Sequence, residues 1–530
     1  MRRRTTALLL AAWGAPAMAG LLYRPLLPID ETRYLTVAWE MWRGSWLVPH
    51  LNGHPYSDKP PLLFWLIDAG WLVVGVQEWW ARLVPLLLAL ASLLLVRRLA
   101  GRLWPARPAV ASLAPAITLG AALWAVFQQL VLFDTLLATC VLLGVTGAVE
   151  AWHDPRPGAW LLVTLGFGLG VLAKGPVALL HLLPLLLLAP WWMAHPPRAG
   201  WRGWYARVGL ALLGGAALAL AWAIPAAVAG GPEYAKMIFL RQTTERMVAS
   251  FAHRRPVWWY LPLLPLLLYP WAVWPPLWRA FGRLRPALTD AGVRLCLAWC
   301  MPVLGGFSLI SGKQMHYLLP LVPAFALLSA RLLDAVAIRG RHDFLPAAAL
   351  LAGALALLVA PHVPAAVHGV PWLAAVPLWP ALTLCLVAMA LAGVLVGTTP
   401  PGAALALAGV PALILVVLEA GIFPVAAPSY DMRPIGAELR LLERDGFEIA
   451  HAGQYAGQYQ FAGRLEHPLV VMPDDSIGAW LAAAPRRAAV TYERRSRTTD
   501  RGMLTVLVRP YRGRIVRVLA SSRPSETAVR

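Results

Sequence analysis

The sequence predicts an all-α polytopic membrane protein with about 13 transmembrane helices, additional interfacial helices and a small C-terminal α/β domain. Of its 530 residues, 59% are hydrophobic and only 14% are charged. This composition excludes an ordinary soluble protein, in which roughly a quarter of the residues are charged. The apolar residues also fall into separate runs of about 20, the length that an α-helix needs to cross a bilayer.

Thirteen apolar runs reach or approach the spanning length. They lie near residues 6–24, 80–97, 108–126, 135–151, 158–173, 175–194, 207–230, 257–278, 292–311, 315–335, 344–361, 372–397 and 402–424. A further run, 62–77, is short and contains Asp68. If it crossed, the arginines between 97 and 107 would lie outside, against the positive-inside rule. We therefore place residues 62–77 in the membrane interface.

Arginines in the short loops orient the chain, with the N-terminus in the cytoplasm and residues 24–80 outside. The N-terminal stretch is compatible with a cleaved signal peptide or with a retained first span. We favour the retained span, and both interpretations leave Asp30 outside. On this topology every lysine of the chain lies outside, namely Lys59, Lys174, Lys236 and Lys313. These lysines indicate contact either with lipid headgroups or with a phosphate-bearing lipid substrate.

The formal net charge of +20 does not indicate a nucleic-acid partner. The basic residues lie mostly in short loops between apolar runs and form no patch on a soluble fold. The cysteines lie inside apolar runs, so we expect buried thiols and neither disulfides nor metal ligands. They are Cys140, Cys296, Cys300 and Cys385.

Two domains are predicted. Residues 1–427 form the transmembrane domain, with the outer loop 24–80 as its catalytic loop, and residues 428–530 form a polar, arginine-rich domain outside the membrane. In the second domain we expect a helix at 435–444 and strands at 468–472, 488–492, 504–508 and 515–519.

Within the outer loop, residues 30–43 contain neither Gly nor Pro and predict an amphipathic helix lying flat in the interface. Its apolar face consists of Leu35, Ala38, Trp39 and Trp42. Asp30 and Glu31 point to different faces of this helix, so the two acids do not share a proton. Asp30 is a candidate catalytic carboxylate or, alternatively, the N-cap of a helix that starts at Glu31.

Several short motifs follow one another in the first part of the chain. They are Asp30-Glu31-Thr32-Arg33-Tyr34, Leu51-Asn52-Gly53, Tyr56, Asp58-Lys59-Pro60-Pro61 and Glu78-Trp79-Trp80-Ala81-Arg82. Together they resemble the opening loop of the polyprenyl-phosphate-dependent, C-type glycosyltransferases, most closely the aminoarabinose transferase and protein mannosyltransferase group. The aminoarabinose transferases carry Glu before the lysine, whereas this chain has Asp58, whose side chain is one methylene shorter.

The resemblance implies an inverting glycosyltransferase of the bacterial inner membrane with a periplasmic active site and a periplasmic C-terminal domain. Its donor would be a polyprenyl-phosphate-linked sugar, and its acceptor lipid A, another envelope glycolipid or a protein. Such a reaction needs an oriented acceptor oxygen, a stabilised phosphate leaving group and the exclusion of water. A non-enzymatic lipid or sugar transporter is the alternative from another class. It predicts pseudo-symmetric halves with polar sites in mid-membrane.

Roles for single residues follow from the same resemblance. Asp30 would orient or deprotonate the acceptor, and Asp134, in a Phe-Asp motif similar to one in the family, would be a second catalytic acid or a helix cap. Lys59 would hold the donor phosphate; its alternative role is a lysine that reaches into the interface. The other substrate-binding residues would be Arg33, Tyr34, Tyr56, Lys313 and Tyr317.

Residues 253–260 resemble the His-x-x-Pro, aromatic-rich stretch of the aminoarabinose transferases. In that group this histidine and the acid before the first-loop lysine are associated with a metal ion, and the corresponding residues here are His253 and Asp58. Two ligands are too few to argue a divalent metal cofactor from the residues alone. A hydrogen bond between His253 and the first loop is the alternative.

Overall fold

The computed structural model describes residues 2–239, 254–334, 343–364, 370–397, 400–493 and 503–521. Most of these residues are helical. The longer α-helices are Arg2–Tyr23, Asp30–Arg43, Leu62–Val74, Glu78–Leu103, Pro108–Leu119, Phe133–His153, Pro157–Lys174, Val177–Leu187, Gly200–Lys236, Ala291–Leu309, Val322–Asp334, Leu345–Val359, Trp379–Gly397, Pro400–Gly421 and Arg433–Arg444. The shorter α-helices are Ala122–Phe127, Ala189–Trp192, Leu264–Leu267, Pro275–Phe281, Leu284–Ala287, Phe423–Ala426, Gln460–Gly463 and Ile477–Ala482. Turns of 3-10 helix occur at Val257–Leu263, Trp271–Val273, Met315–Leu321, Ala360–His362, Pro371–Ala375, Ala427–Ser429 and Asp474–Ser476.

Within the described residues, ten helices are long and apolar enough to cross a membrane. The all-α polytopic class is thereby confirmed, and the protein is a multi-pass membrane protein. Three of the predicted runs, 108–126, 175–194 and 257–278, form shorter helices instead. Each of these runs contains prolines, which remove backbone N–H donors from a helix.

Two of the interrupted runs meet at their breaks. Helix Pro108–Leu119 ends at Gly120, which packs so closely on the helix Pro400–Gly421 that a Cβ at Gly120 would lie 2.5 Å from the Ala408 Cα. The Ala122 N then donates to the Tyr269 O over 2.9 Å, and Tyr269 belongs to the other broken run. In lipid a free backbone group is costly, so this hydrogen bond stabilises both breaks.

Two helices precede the second long span. Helix Leu62–Val74 has 13 residues and is about 20 Å long, shorter than the roughly 30 Å of a bilayer core. Its length therefore suits the predicted interfacial position. Helix Asp30–Arg43, called the loop helix below, has the predicted bounds. Its buried surface extends beyond the predicted apolar face to Thr36, because the Thr36 Oγ1 donates to the Gly457 O of the C-terminal region over 2.9 Å.

The first loop contains a two-stranded hairpin, and the C-terminal region contains a five-stranded mixed sheet. The strands are β1 His50–Leu51, β2 His54–Pro55, β3 Glu448–Ala452, β4 Val470–Met472, β5 Arg487–Glu493, β6 Leu504–Tyr511 and β7 Arg514–Ala520. The large sheet has the order β4-β3-β5-β7-β6. Strand β3 is parallel to β4 and β5, whereas β7 is antiparallel to β5 and β6. The predicted helix and four strands are confirmed; β3 was not predicted because its alanines are weak β-formers.

Candidate active site

The loop helix begins with two acids that face different surroundings. The Asp30 side chain is 57% exposed, and the Arg33 Nη1 lies 3.8 Å from its Oδ1. Glu31 is buried. The predicted divergence of the two acids is therefore confirmed. Ile29 occupies the N-cap position, so Asp30 is the first helical residue and not the cap.

Glu31 fastens the start of the loop helix to the membrane domain. Its Oε2 accepts hydrogen bonds from the Arg24 Nη1 at 2.6 Å and from the Leu27 N at 2.8 Å. Its Oε1 accepts from the Val131 N at 2.9 Å. Arg24 also donates to the Gln129 O at 2.9 Å. Both charged groups of this ion pair are buried, and removing one partner of such a pair leaves the other charge buried and uncompensated.

Asp134 opens the helix Phe133–His153 and is buried. The Lys174 Nζ donates to its Oδ1, and the His316 Nε2 lies 3.9 Å from its Oδ2. The Lys174 Nζ also lies 4.7 Å from the centroid of the Tyr317 ring. Three separate parts of the chain thus bring an acid, a lysine and an imidazole to one point.

Lys59 reaches the same point from the first loop. Its Nζ lies 5.9 Å from the centroid of the Phe133 ring. Its charge acts electrostatically on both Asp134 and His316, and the Asp30 carboxylate also acts on His316. The predicted catalytic acids and the predicted phosphate-binding lysine therefore belong to one cluster of charges.

Aromatic rings line one side of this cluster. Tyr34 meets Phe133 edge to face with the ring centroids 4.9 Å apart. Phe64 lies 5.4 Å from Phe133 and 6.5 Å from Tyr56, measured between centroids. Burial raises the pKa of Tyr34 well above its usual value, and the nearby Tyr56 and Asp30 add to the increase. The Tyr34 hydroxyl therefore stays protonated, and the rings keep water away from the charges.

Comparison of the chain with known proteins identifies its family. Residues 58–228 match the family described as dolichyl-phosphate-mannose-protein mannosyltransferase. Over 380 residues the chain is 33% identical to the undecaprenyl phosphate-alpha-4-amino-4-deoxy-L-arabinose arabinosyl transferase of Pseudomonas aeruginosa. The chain belongs to the C-type glycosyltransferases. The alignment covers 67% of this chain and 66% of that relative, just under two thirds of the relative's length.

Other members of the C-type glycosyltransferases extend the comparison. The relative of the same name from Enterobacter sp. is 30% identical over 322 residues, which cover 58% of this chain and 56% of the relative. The crystal structure of ArnT from Cupriavidus metallidurans bound to undecaprenyl phosphate has a TM-score of 0.76 and 20% identity, with 98% of both chains covered. In the apo state the TM-score is 0.72 at 21% identity, with the same coverage. These two likenesses show the fold.

Lys313 lies buried in the same C-type glycosyltransferase fold. Its ammonium donates to the Arg255 O at 3.0 Å and to the Ile310 O at 2.5 Å. Arg254 and Gly312 form a β-bridge beside it. Lys313 thus joins two segments of backbone, and its ammonium is directed at carbonyl oxygens where a phosphate contact was predicted.

The predicted metal site consists of Asp58 and His253, and the structure describes only Asp58. Asp58 is exposed and directly precedes Lys59, whereas His253 lies outside the described residues. In the described part of the chain, groups of three or more His, Cys, Asp or Glu close enough to hold a metal ion are absent. The metal site stays a prediction.

Lys174 and His316 extend the site beyond the predicted residues. Lys174 is the last residue of the helix Pro157–Lys174, at the predicted outer end of an apolar run. His316 lies between the predicted substrate-binding residues Lys313 and Tyr317. A lysine that ends an apolar run on the same side as a predicted acid is the signal by which the pair with Asp134 is recognisable.

Proposed function

We propose that this chain transfers a sugar from a polyprenyl-phosphate donor to lipid A or another envelope glycolipid, as a 4-amino-4-deoxy-L-arabinose transferase-like enzyme. The observation that carries the proposal is the cluster of charges formed by Asp30, Lys59, Asp134, Lys174 and His316. Acids suit the orientation of an acceptor, and cations suit the release of a phosphate. The names of the relatives from Pseudomonas aeruginosa and Enterobacter support an undecaprenyl-phosphate-linked aminopentose as the donor.

The proposed reaction is a single displacement with inversion at the anomeric carbon. An acceptor oxygen bonds to that carbon while the bond from the carbon to the donor phosphate oxygen breaks, and the electron pair leaves with the phosphate. Asp30 orients the acceptor and takes its proton if the acceptor is a hydroxyl group. If the acceptor is a phosphate of lipid A, no proton is removed and Asp30 only orients it. Lys59 and Arg33 stabilise the departing phosphate.

The remaining members of the cluster prepare the site for this step. Asp134 holds the ammonium of Lys174 by a direct hydrogen bond and so directs a second cation toward the phosphate. Tyr34 and Tyr56 form the dry wall beside Lys59, and Tyr317 packs under Lys174. In a water-excluded site such charges act more strongly than in water.

We infer that the site faces the periplasm of a bacterial inner membrane, with the N-terminus in the cytoplasm and the C-terminal domain outside. The loop helix carries Asp30 and packs on the C-terminal region, so both lie on one side of the membrane. At the other ends of the helices, Arg98 pairs with Glu150 and Arg107 with Asp334. Arginine-rich helix ends indicate the cytoplasmic side.

A protein acceptor is the second candidate. The family matched by residues 58–228 is described as a protein mannosyltransferase, which favours a hydroxyl acceptor on a protein. A transporter has less support, because the charges of the described site collect near one end of the helices and transport sites lie in mid-membrane.

The decisive experiment is mass spectrometry of lipid A and of membrane glycoproteins. A deletion strain is complemented with the wild type, with Asp30→Asn or with Glu233→Gln. Glu233 is a matched control because its side chain is 83% exposed in an i,i+3 pair with Lys236, away from the cluster. We expect the deletion to lose an aminopentose or hexose from lipid A, Glu233→Gln to restore it, and Asp30→Asn to reduce it by about a hundredfold.

Each other outcome has a definite meaning. Loss of sugar from glycoproteins, with lipid A unchanged, would replace the lipid A proposal by the protein acceptor. Full restoration by Asp30→Asn would contradict the catalytic role of Asp30. An unchanged deletion strain in both analyses would contradict the proposed transfer.

A further inference from the structure

We propose that Asn52 is a positioning residue, by which the C-terminal domain sets the conformation of the loop that carries Lys59. The consequence for donor binding rests on the proposed function, whereas the effect on the loop itself does not. Asn52 is buried and lies in the turn of the hairpin formed by β1 and β2.

The Asn52 side chain both accepts hydrogen bonds from the C-terminal domain and donates one to it. Its Oδ1 accepts hydrogen bonds from the Gln460 Nε2 at 2.7 Å and from the Leu469 N at 2.8 Å. Its Nδ2 donates to the Leu469 O at 2.9 Å. The amide therefore pairs with both backbone groups of Leu469, as a neighbouring strand would, and three buried hydrogen bonds depend on one side chain.

The Asn52 backbone is tied to the loop helix. Its N donates to the Glu40 Oε1 at 2.7 Å, and the Gly53 N donates to the Glu40 Oε2 at 3.0 Å. Asn52 has a φ of 55°, in the left-handed region that asparagine tolerates better than most residues. One residue thus joins the hairpin turn, the loop helix and the C-terminal domain.

The hairpin leads directly to Lys59. Residue His50 pairs with Pro55, and the Tyr56 N donates to the Pro49 O over 2.8 Å, which closes the hairpin. The short segment from Tyr56 to Lys59 then ends in Pro60-Pro61, which limits its freedom. A shift of the hairpin turn is therefore passed on to the Lys59 ammonium.

The partners of Asn52 belong to a segment that contacts both the loop helix and the helix Leu62–Val74. We call residues 457–469 the clasp. The Trp39 Nε1 donates to the Leu465 O at 3.0 Å, and the Phe461 ring stacks on the Trp71 ring with centroids 5.6 Å apart. Because the Tyr455 hydroxyl donates to the Gln460 Oε1, the Gln460 amide is held in the orientation that Asn52 needs.

The experiment compares wild type with Asn52→Gly, Asn52→Asp and Arg43→Ala, all as full-length protein purified in detergent. Glycine keeps the left-handed backbone and removes the side chain, and aspartate keeps the acceptor but not the donor. Arg43 is the control because it donates to the Glu466 O of the same clasp at 2.7 Å from an exposed position. The readouts are amide hydrogen exchange of residues 47–61, affinity for undecaprenyl phosphate and the melting temperature.

We expect Asn52→Gly to speed exchange of residues 47–61 and to weaken the binding of undecaprenyl phosphate by about tenfold, because the loss of two or more buried hydrogen bonds corresponds to at least 1.4 kcal/mol. Asn52→Asp should lie between Asn52→Gly and wild type in both readouts, and Arg43→Ala should match wild type.

An effect on the melting temperature alone would mean a merely structural role and would overturn the proposal. Unchanged exchange in Asn52→Gly would overturn it as well. If wild type fails to bind undecaprenyl phosphate, the proposed function fails, and the exchange of the loop still decides the role of Asn52.

Discussion

The Glu31 Oε1 accepts a hydrogen bond from the backbone N of Val131 over 2.9 Å. Glu31 directly follows Asp30 in the sequence, and Val131 precedes Asp134 by three residues. A buried contact therefore fixes the separation between the two acids that we assign to catalysis, although they come from distant parts of the chain.

Replacing Glu31 should disturb both folding and transfer. Glu31→Gln leaves the buried Arg24 without its counter-charge, and breaking a buried ion pair costs about 3–5 kcal/mol. We expect a clearly lower melting temperature in detergent and a loss of sugar transfer. The control is Glu233→Gln, whose exposed pair contributes about 1 kcal/mol or less. A melting temperature equal to that of wild type would show that the Arg24–Glu31 pair does not hold the loop helix.

Variants of the Asp134–Lys174 ion pair should distinguish its effect on stability from its effect on activity. Asp134→Asn and Lys174→Met each remove one member of this hydrogen-bonded ion pair and leave the other charge less compensated. Each single variant should therefore be less stable and at least about tenfold less active. The double variant removes both charges and should recover much of the melting temperature while staying inactive. Melting curves and the transfer assay on the three variants test this coupling. Activity that returns together with stability would mean that the pair only supports the fold.

His451 should make the C-terminal domain sensitive to acid. Burial lowers the pKa of His451 to about 4, although its hydrogen bond to the Gly453 O acts in the opposite direction. The folded domain thus binds this proton less tightly than the unfolded chain, whose histidine titrates near 6.5. The free energy of unfolding is therefore unaffected by His451 above about pH 6.5. It falls as the pH drops toward 4, by about 3 kcal/mol in total.

Hydrogen exchange of the sheet strands between pH 7 and 4, corrected for the intrinsic exchange rate, measures this loss. His451→Gln should weaken the dependence on pH, because the neutral amide does not titrate. His467→Gln serves as the control, since the His467 side chain is 79% exposed. A wild type and a His451→Gln variant with the same pH profile would rule out His451 as the sensor.

Asp68 should make the protein less stable at high pH, the opposite of the pH dependence expected from His451. It is buried in the helix Leu62–Val74, for which we predict an interfacial position, and within the described residues neither of its side-chain oxygens has a hydrogen-bond partner. Burial raises its pKa to about 8. The folded protein therefore holds this proton more tightly than the unfolded chain, so its contribution to stability is full below about pH 4 and is lost as the pH rises to about 8.

Asp68→Asn should consequently be more stable than wild type above pH 8, and the difference should shrink as the pH falls. The measurement is the melting temperature of both proteins from pH 5 to 9. The matched control is Asp474→Asn, which replaces an exposed acid of the C-terminal domain. A constant difference between Asp68→Asn and wild type across this range would contradict the assignment.

Local spacing predicted the parts of the structure that depend on neighbouring residues. The absence of Gly and Pro from 30–43 gave the bounds of the loop helix, and helical periodicity separated Asp30 from Glu31. Alternation predicted four of the five strands in the C-terminal sheet, whereas the alanine-rich β3 depends on its two neighbouring strands.

Contacts between distant segments were beyond prediction. The hydrogen bond from Lys174 to Asp134 depends on how uniformly apolar helices pack, and many packings have similar patterns of apolar residues. The same holds for Asn52, which the motifs single out but whose side-chain partners are 408 residues away or more. The helix breaks near Gly120 and Tyr269 are likewise joined by a hydrogen bond between two runs, so neither break can be predicted from its own run alone.

If Asn52 has the positioning role that we propose, its contact with the clasp also determines when during synthesis the site becomes complete. Gln460 follows Asn52 by 408 residues, and a ribosome adding about 5–20 residues per second needs about 20–80 s to reach it. On the proposed topology, the first loop lies across the membrane during that time without its partner. A nascent or prematurely terminated chain would then carry every charged residue of the first loop but lack the contact that positions Lys59. Residues 460–469 would thus act as a check on completed synthesis.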